Sequence, residues 1–317
     1  MAALTDQAGE SPFSEGGAVP GAPDQPAFVV RAAEPSVLPV LIAVPHAGRS
    51  YPDSIVHRMR HPRAAALRLE DRYADLLGEA VAAQTGAALL IARAPRAMID
   101  LNRATDDVDW SMFAGSRAGG SDQPIGLRAR SGLGLIPRRL PGLGEIWKDR
   151  HRRGDLDERL TAIHEPYHTR LGQELARLRK RWGAALLVDL HSMPPLGLHG
   201  PHPPSEFVIG DRFGASCHGT LVAEAFGHFG QMQRTASHNR PYAGGYVLDR
   251  HASVSENIHA LQIEVDRSSY LDRALVERGT GFDDMVEVLC GLVLRLSERV
   301  AELGRSKPPA DWAIAAE

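Results

Sequence analysis

Short apolar runs alternate along the chain with segments whose apolar residues recur at helical spacing. Residues 37–44 (VLPVLIAV) form one such run, ended by Pro45, and predict a buried strand that delivers His46 to a loop. Residues 67–84 carry a helical period with Gly86 as its stop, and Ala88–Ala92 predicts a second strand running toward Pro95 and Arg96. Residues 156–182 predict a long helix bent near Pro166, because proline lacks the amide donor and crowds the preceding turn. A third strand follows over 184–190 and ends in Asp189-Leu190-His191-Ser192. Beyond it the pattern predicts a strand at Phe207–Gly210, a helix over 221–229, a last core strand over 261–265 and an amphipathic helix over 282–303. Buried strands alternating with helices imply an α/β fold: a mixed, mostly parallel central sheet covered by helices on both faces. In such sheets ligands collect at the carboxyl ends of the strands.

The two ends of the chain break the pattern. Residues 1–27 are rich in Gly, Pro, Ser and acids, a composition too poor in apolar surface to offset ordering entropy, and predict a disordered tail. One domain is expected over 28–304, with a polar tail over 305–317. Residues 104–144 are too long for an ordinary connection and rich in Gly, Ser, Arg and Asp, so they predict a functional or mobile loop.

Composition narrows the class of partner. A formal charge of -3 over 317 residues gives no global field for nucleic acid or acidic membranes, which leaves a small molecule as the expected partner. Only Cys217 and Cys290 are present, so neither a disulfide framework nor a thiolate metal cluster is expected. The first residues lack the basic start and apolar stretch of a secretory signal, and no apolar run reaches the roughly 18 residues of a membrane span. The expected location is the cytoplasm.

Polar groups interrupt or follow the core strands at His46, His191, Glu264 and the run Asp100-Leu101-Asn102-Arg103. A catalytic zinc site needs three protein ligands and an open position for water. Two strand-end histidines supply two of them, and the pair Glu70-Asp71 is the best-placed source of a carboxylate, with Asp71 preferred. Each group also has a plain structural explanation: a hydrogen-bonded histidine, a helix-start acid beside the dipole, a surface ion pair for Arg103. Glu264 breaks an apolar strand, so it is either paired with Arg267 or Arg250 or serves as a general base. A rival motif, His164-Glu165-Pro166-Tyr167-His168, spells the H-E-x-x-H of zinc-binding helices, but Pro166 falls between the histidines. Asp189 is a candidate outer partner for a histidine ligand, although strand alternation would direct adjacent side chains apart.

The strings VPHAGRSYP, PRAMIDLNR, LLVDLHSMPP, NRPYAGGYVLDRHA and LQIEVDRSSYLD occur in that order, with RSGLGLIPR among them. Over residues 39–303 the chain thereby resembles the N-formylglutamate amidohydrolase family. The resemblance implies a fold similar to that of zinc carboxypeptidases and one zinc ion as cofactor. It matches His46 and His191 to the histidine ligands, Asp71 to the acidic ligand and Glu264 to the catalytic glutamate. Asn102 and Arg103 match an Asn-Arg pair that grips a substrate carboxylate. In the carboxypeptidases the acidic ligand lies three residues from the first histidine, whereas here nothing acidic follows His46 until Asp53.

The reaction expected is hydrolysis of a small carboxylate-bearing amide such as N-formyl-L-glutamate. Glu264 would move the proton, and Arg103 with Asn102 and Arg96 would hold one carboxylate. Arg240 would hold a second, and Tyr246 would hydrogen-bond the developing oxyanion. A zinc peptidase or another N-acyl amino acid deacylase is the alternative enzyme, and a catalytically idle ligand-binding homologue the alternative class. The two metal motifs make opposite predictions. His46→Ala and His191→Ala should each strip the metal in elemental analysis while His164→Ala and His168→Ala keep it; the reverse result would identify the H-E-x-x-H pair as the ligands.

Overall fold

The computed structural model describes residues 13–115, 126–197 and 203–306. Its strands are β1 (Ser14–Gly16), β2 (Phe28–Arg31), β3 (Val40–Val44), β4 (Ala88–Ala92), β5 (Arg139–Leu140), β6 (Gly144–Glu145), β7 (Ala185–Met193), β8 (Phe207–Gly210), β9 (Ala236–His238) and β10 (Ile258–Asp266). Its helices are α1 (Asp53–Val56), α2 (Pro62–Leu69), α3 (Ala74–Thr85), α4 (Leu127–Arg130), α5 (Arg153–Arg159), α6 (Glu165–Trp182), α7 (Gly219–Gln231), α8 (Tyr246–His251) and α9 (Phe282–Ser306). Strands β5 and β6 form a small ribbon of their own, and the other eight make one sheet in the order β1-β2-β4-β3-β7-β10-β8-β9. The centre, β4-β3-β7-β10, is parallel throughout. Antiparallel pairings of β2 with β4 and of β8 with β10 flank it. This is the mixed, mostly parallel sheet expected.

Alternation along each strand sends side chains to two apolar layers. Ile42, Val188 and Ile263 pack with Leu77 of α3, Leu221 of α7 and Leu289 of α9. On the opposite face Leu41, Leu187 and Ala260 pack with Leu69 of α2 and with Tyr167, Leu171, Leu175 and Leu178 of α6. The spacing of those α6 residues makes one stripe, as a helix lying on a sheet requires. The second face changes character toward the strand ends: in β7 the series Leu187, Asp189, His191 turns polar, and in β10 so does Ala260, Gln262, Glu264. Parallel register sets Glu264 beside His191 and Gln262 beside Asp189.

Three expectations are corrected. The helix predicted over 67–84 is two helices, because Glu70 is extended (ψ 139°) and Tyr73 adopts φ 57°, which ends the hydrogen-bond ladder. The strand predicted from residue 37 begins at Val40, and Val37 is exposed. The tail predicted over 1–27 is ordered from residue 13 onward: β1 pairs with β2, and Val19 and Ala27 are fully buried against the second layer. A Gly-rich composition concealed this segment, whose turn at Gly17 sits against the carbonyl of Ala162 where a Cβ could not fit. Residues 1–12 and 307–317 lie outside the described residues, as do 116–125 of the long loop.

The helix bent near Pro166 is α5, a π-helical turn (Leu160–His164) and α6, with Pro166 in the first turn of α6 where its missing amide costs least. Both cysteines are buried and unpaired. No helix among the described residues is long and apolar enough to cross a membrane. Val19→Asp should destabilise the whole protein by roughly 2–4 kcal/mol, since a carboxylate would replace a fully buried methyl pair. An unchanged urea midpoint would show that the 13–27 segment is dispensable.

Candidate active site

The polar ends of the central strands meet in a cavity of about 460 Å³. His46, Asp71, Arg96, Asn102, Arg103, His191, Tyr246 and Glu264 all line it. Arg240 is not among them: it is exposed on the turn after β9, two residues before Tyr242, which lines the cavity. Arg68, Arg128, Arg212, Tyr242 and Gln262 line the wall without having been singled out in the sequence. Arg68 and Arg128 belong to solvent-facing helical positions, and nothing in a linear pattern distinguishes such an arginine from an ordinary surface charge.

His46 lies just past β3 in the turn PHAG, where Gly48 is pressed so closely on the carbonyl of Ala94 that a Cβ would sit 2.1 Å from its oxygen. Asp71 arrives through the break between α2 and α3. Its amide donates to the carbonyl of His46 (2.9 Å), so the interruption of the helix is what ties the two residues together. His191 lies in β7 itself. The ligand-type atoms of His46, Asp71 and His191 lie within 4.8 Å of one another, and all three residues are buried.

Each imidazole is committed through Nε2 to a buried carboxylate. His46 contacts Asp100 Oδ1 at 2.7 Å, and His191 contacts Asp189 Oδ2 at 2.9 Å. Asp189 and His191 are two residues apart, so alternation places them on one face and removes the geometric objection raised from sequence. Both Nδ1 atoms then turn toward Asp71 Oδ2, from 3.6 Å for His46 and 3.1 Å for His191, and Nδ1 of His46 has no hydrogen-bond partner. The other oxygen of Asp71 accepts from Arg267 Nη2 (3.0 Å) and Ser192 Oγ (3.3 Å). Glu70 points away and pairs with Arg72 at 3.0 Å.

Two nitrogens and one oxygen converging from buried side chains, each imidazole backed by a carboxylate, fit a divalent cation with a free position. The electrostatics point the same way. Burial disfavours the His191 imidazolium, yet Asp189 and Asp71 raise it well above the ordinary histidine value. Burial likewise disfavours the Asp71 carboxylate, and the two imidazoles more than reverse that, holding it well below the usual range. Among the described residues this is the group of histidine and acidic side chains so disposed. His164, which ends the π turn, and His168 on α6 are buried and do not join it.

Glu264 projects into the cavity from β10. Its Oε1 accepts from Gln262 Nε2 at 2.8 Å, and neither suggested arginine pairs with it: Arg267 serves Asp71, and Arg250 donates to the hydroxyl of Tyr246 (2.7 Å). Burial raises its carboxyl to about 7, with the charge of His191 acting in the opposite direction. Asn102 donates through Nδ2 to Gln262 Oε1 (3.3 Å). Its Oδ1 accepts from the amide of Val247 (3.0 Å), an approach possible because Gly245 has no Cβ to meet that oxygen. Arg103 donates to the carbonyls of Leu133 and Asn102 and stands 3.9 Å from Asp100, while Arg96 pairs with Asp100 at 2.9 Å.

A mixed α/β sheet that gathers these groups at its strand ends has solved relatives. N-formylglutamate amidohydrolase from Ralstonia eutropha JMP134 is 30% identical, with a TM-score of 0.78 over 87% of this chain and 99% of that one. Gene product Atu2144 from Agrobacterium tumefaciens, 16% identical with a TM-score of 0.61 over 89% of this chain and 96% of that one, shares the fold. An N-formylglutamate deformylase of Pseudomonas putida is 32% identical over 74% of this chain and 82% of its own length. One from Pseudomonas aeruginosa is 27% identical over 85% and 95%. The chain is an amidohydrolase. Residues 38–271 match the family profile described as N-formylglutamate amidohydrolase, and the chain belongs to that family.

If a cation occupies the His46–Asp71–His191 group, chelator-treated protein should take up one tight equivalent of zinc. Asp189→Asn should weaken that uptake about 10- to 100-fold in competition with a chromogenic chelator. Equal affinity in the variant would remove Asp189 from the site.

Proposed function

We propose that this amidohydrolase cleaves the amide of N-formyl-L-glutamate to give formate and L-glutamate, with one zinc ion held by His46, Asp71 and His191. The observation that carries this reading is the shared cavity, in which Glu264 and the histidine–aspartate group face the guanidinium of Arg103. The names of the Pseudomonas relatives supply the substrate. When bound, zinc supplies Lewis acidity, lowering the pKa of a water and polarising a carbonyl.

The remaining work falls to side chains of the chain. Glu264 takes a proton from the attacking water and returns it to the leaving nitrogen. Its burial suits that task, since a carboxyl raised toward neutrality both accepts and gives a proton readily. Arg103 presents its fork to a substrate carboxylate, with Arg96 adding positive charge behind it. Arg68 and Arg128 on the same wall are placed to take a second carboxylate. Tyr246 offers its hydroxyl to the oxygen on which charge develops, and Arg250, already bonded to that hydroxyl, makes it a better donor. Tyr242 also faces the cavity near Glu264 and Asp71, whose charges join burial in raising its phenol above the ordinary value.

Two measurements test the reading. Glu264→Gln should lower kcat on N-formyl-L-glutamate by about 10²- to 10⁴-fold with zinc content unchanged; retained turnover would remove Glu264 as the base. Arg103→Ala should raise KM on N-formyl-L-glutamate, and it should do so less for an N-formyl amino amide that lacks the α-carboxylate. A wild-type enzyme that ignores formyl substrates but hydrolyses acetyl or peptidyl ones would redirect the assignment to another N-acyl amino acid.

A further inference from the structure

The H-E-x-x-H pair at the junction of the π turn and α6 neither joins the histidine–aspartate group nor lines the cavity, yet it is buried and almost fully hydrogen-bonded. What it holds is backbone. His168 Nε2 lies 3.0 Å from the carbonyl oxygen of Leu101, and His164 Nε2 lies 3.1 Å from that of Arg103. A carbonyl can only accept, so both imidazoles carry their proton on Nε2. His168 therefore presents a bare Nδ1, and His251 Nε2, at 2.9 Å, is its donor. Burial lowers all three histidines below their ordinary value, His251 to about 3, which keeps this chain of neutral donors intact near neutrality.

The two clamped carbonyls bracket Asn102. The third histidine closes the arrangement, because His251 is the last residue of α8, the helix that starts with Tyr246 and whose Val247 amide binds Asn102 Oδ1. The ring of Tyr246 also rests on both imidazoles, with centroids at 5.8 Å from His164 and 5.3 Å from His168. One helical turn, from the end of the π turn into α6, thus fixes the Leu101–Arg103 segment and α8 relative to each other.

We propose that His164 and His168 are positioning residues for substrate recognition: their Nε2–H groups fix the carbonyls on either side of Asn102 and so set where Arg103 meets the substrate. This rests on the reading of Arg103 as the carboxylate grip. Loss of the clamp weakens substrate binding and leaves the metal group filled.

The test compares His168→Phe and His164→Phe, which keep a ring and remove the donor, with His168→Gln and His164→Gln, whose amide reaches the same carbonyl. On the full-length protein with N-formyl-L-glutamate, each Phe variant should raise KM by roughly tenfold to 100-fold, a loss typical of misplaced binding groups. Its kcat should stay within about threefold of wild type, the signature of binding lost equally from ground and transition states. Zinc per chain should be unchanged, and each Gln variant should recover most of the KM. The Gln variants and the His164 pair carry the comparison if His168→Phe does not fold. Loss of zinc would make the pair metal ligands, and a Gln variant as impaired as its Phe counterpart would leave only a packing role; either result overturns the inference. Arg103→Ala separates the two readings. An unchanged KM there would overturn the grip and this inference with it, whereas a raised KM there beside unchanged values in both Phe variants would overturn the inference alone.

Discussion

The buried charge of Asp71 is the constraint around which the rest is arranged. A carboxylate with no access to water costs several kcal/mol unless its environment supplies compensating charge and hydrogen bonds. Here Arg267 and Ser192 take one oxygen and two imidazoles face the other. Those imidazoles are themselves buried and are answered by Asp100 and Asp189, and Asp100 in turn by Arg96. Alternating layers of acid and base therefore spread outward from one atom. Because the participants come from the exits of β3 and β4, from β7, from just past β10 and from the gap between α2 and α3, satisfying that charge also pins the carboxyl ends of the central strands together.

The strands were legible because burial on both faces writes continuous apolar runs, and the groups that interrupt such runs were legible with them. His191 and Glu264 stand out as polar residues inside β7 and β10, and His46 follows the proline that closes β3. Asp71 was harder to place. The periodicity of 67–84 continues through it, and the break at Glu70 and Tyr73 is enforced by contacts distant in sequence, the carbonyl of His46 and the side chain of Arg267. Local preference was overridden there by the needs of the site, which is where such failures are expected. The ordered stretch from residue 13 was hidden because a few buried residues such as Val19 and Ala27 are enough to anchor a Gly- and Pro-rich segment when a strand edge is waiting for it.

The second histidine pair shows how a motif can be present without its usual chemistry. At the start of α6 the spacing is right for two ligands, but both rings donate from Nε2 to carbonyl oxygens, the other nitrogen of His168 is taken by His251, and among the described residues no carboxylate forms a ligand group with the remaining Nδ1 of His164. Geometry around the motif decides its meaning, and in this chain the same residue type serves two purposes a few residues from the same loop.

The two outer strands of the sheet have a consequence for the molecule among its own copies. An open sheet exposes unpaired amides and carbonyls at both margins, and a long flat margin is a template for pairing with a neighbour. Here β1 and β9 are three residues each, and the sheet's broad parallel centre lies well inside them. The slow-forming, aggregation-prone part of the architecture is thus bordered by strands too short to recruit another chain, so crowding in solution should cost this enzyme little through sheet-to-sheet association.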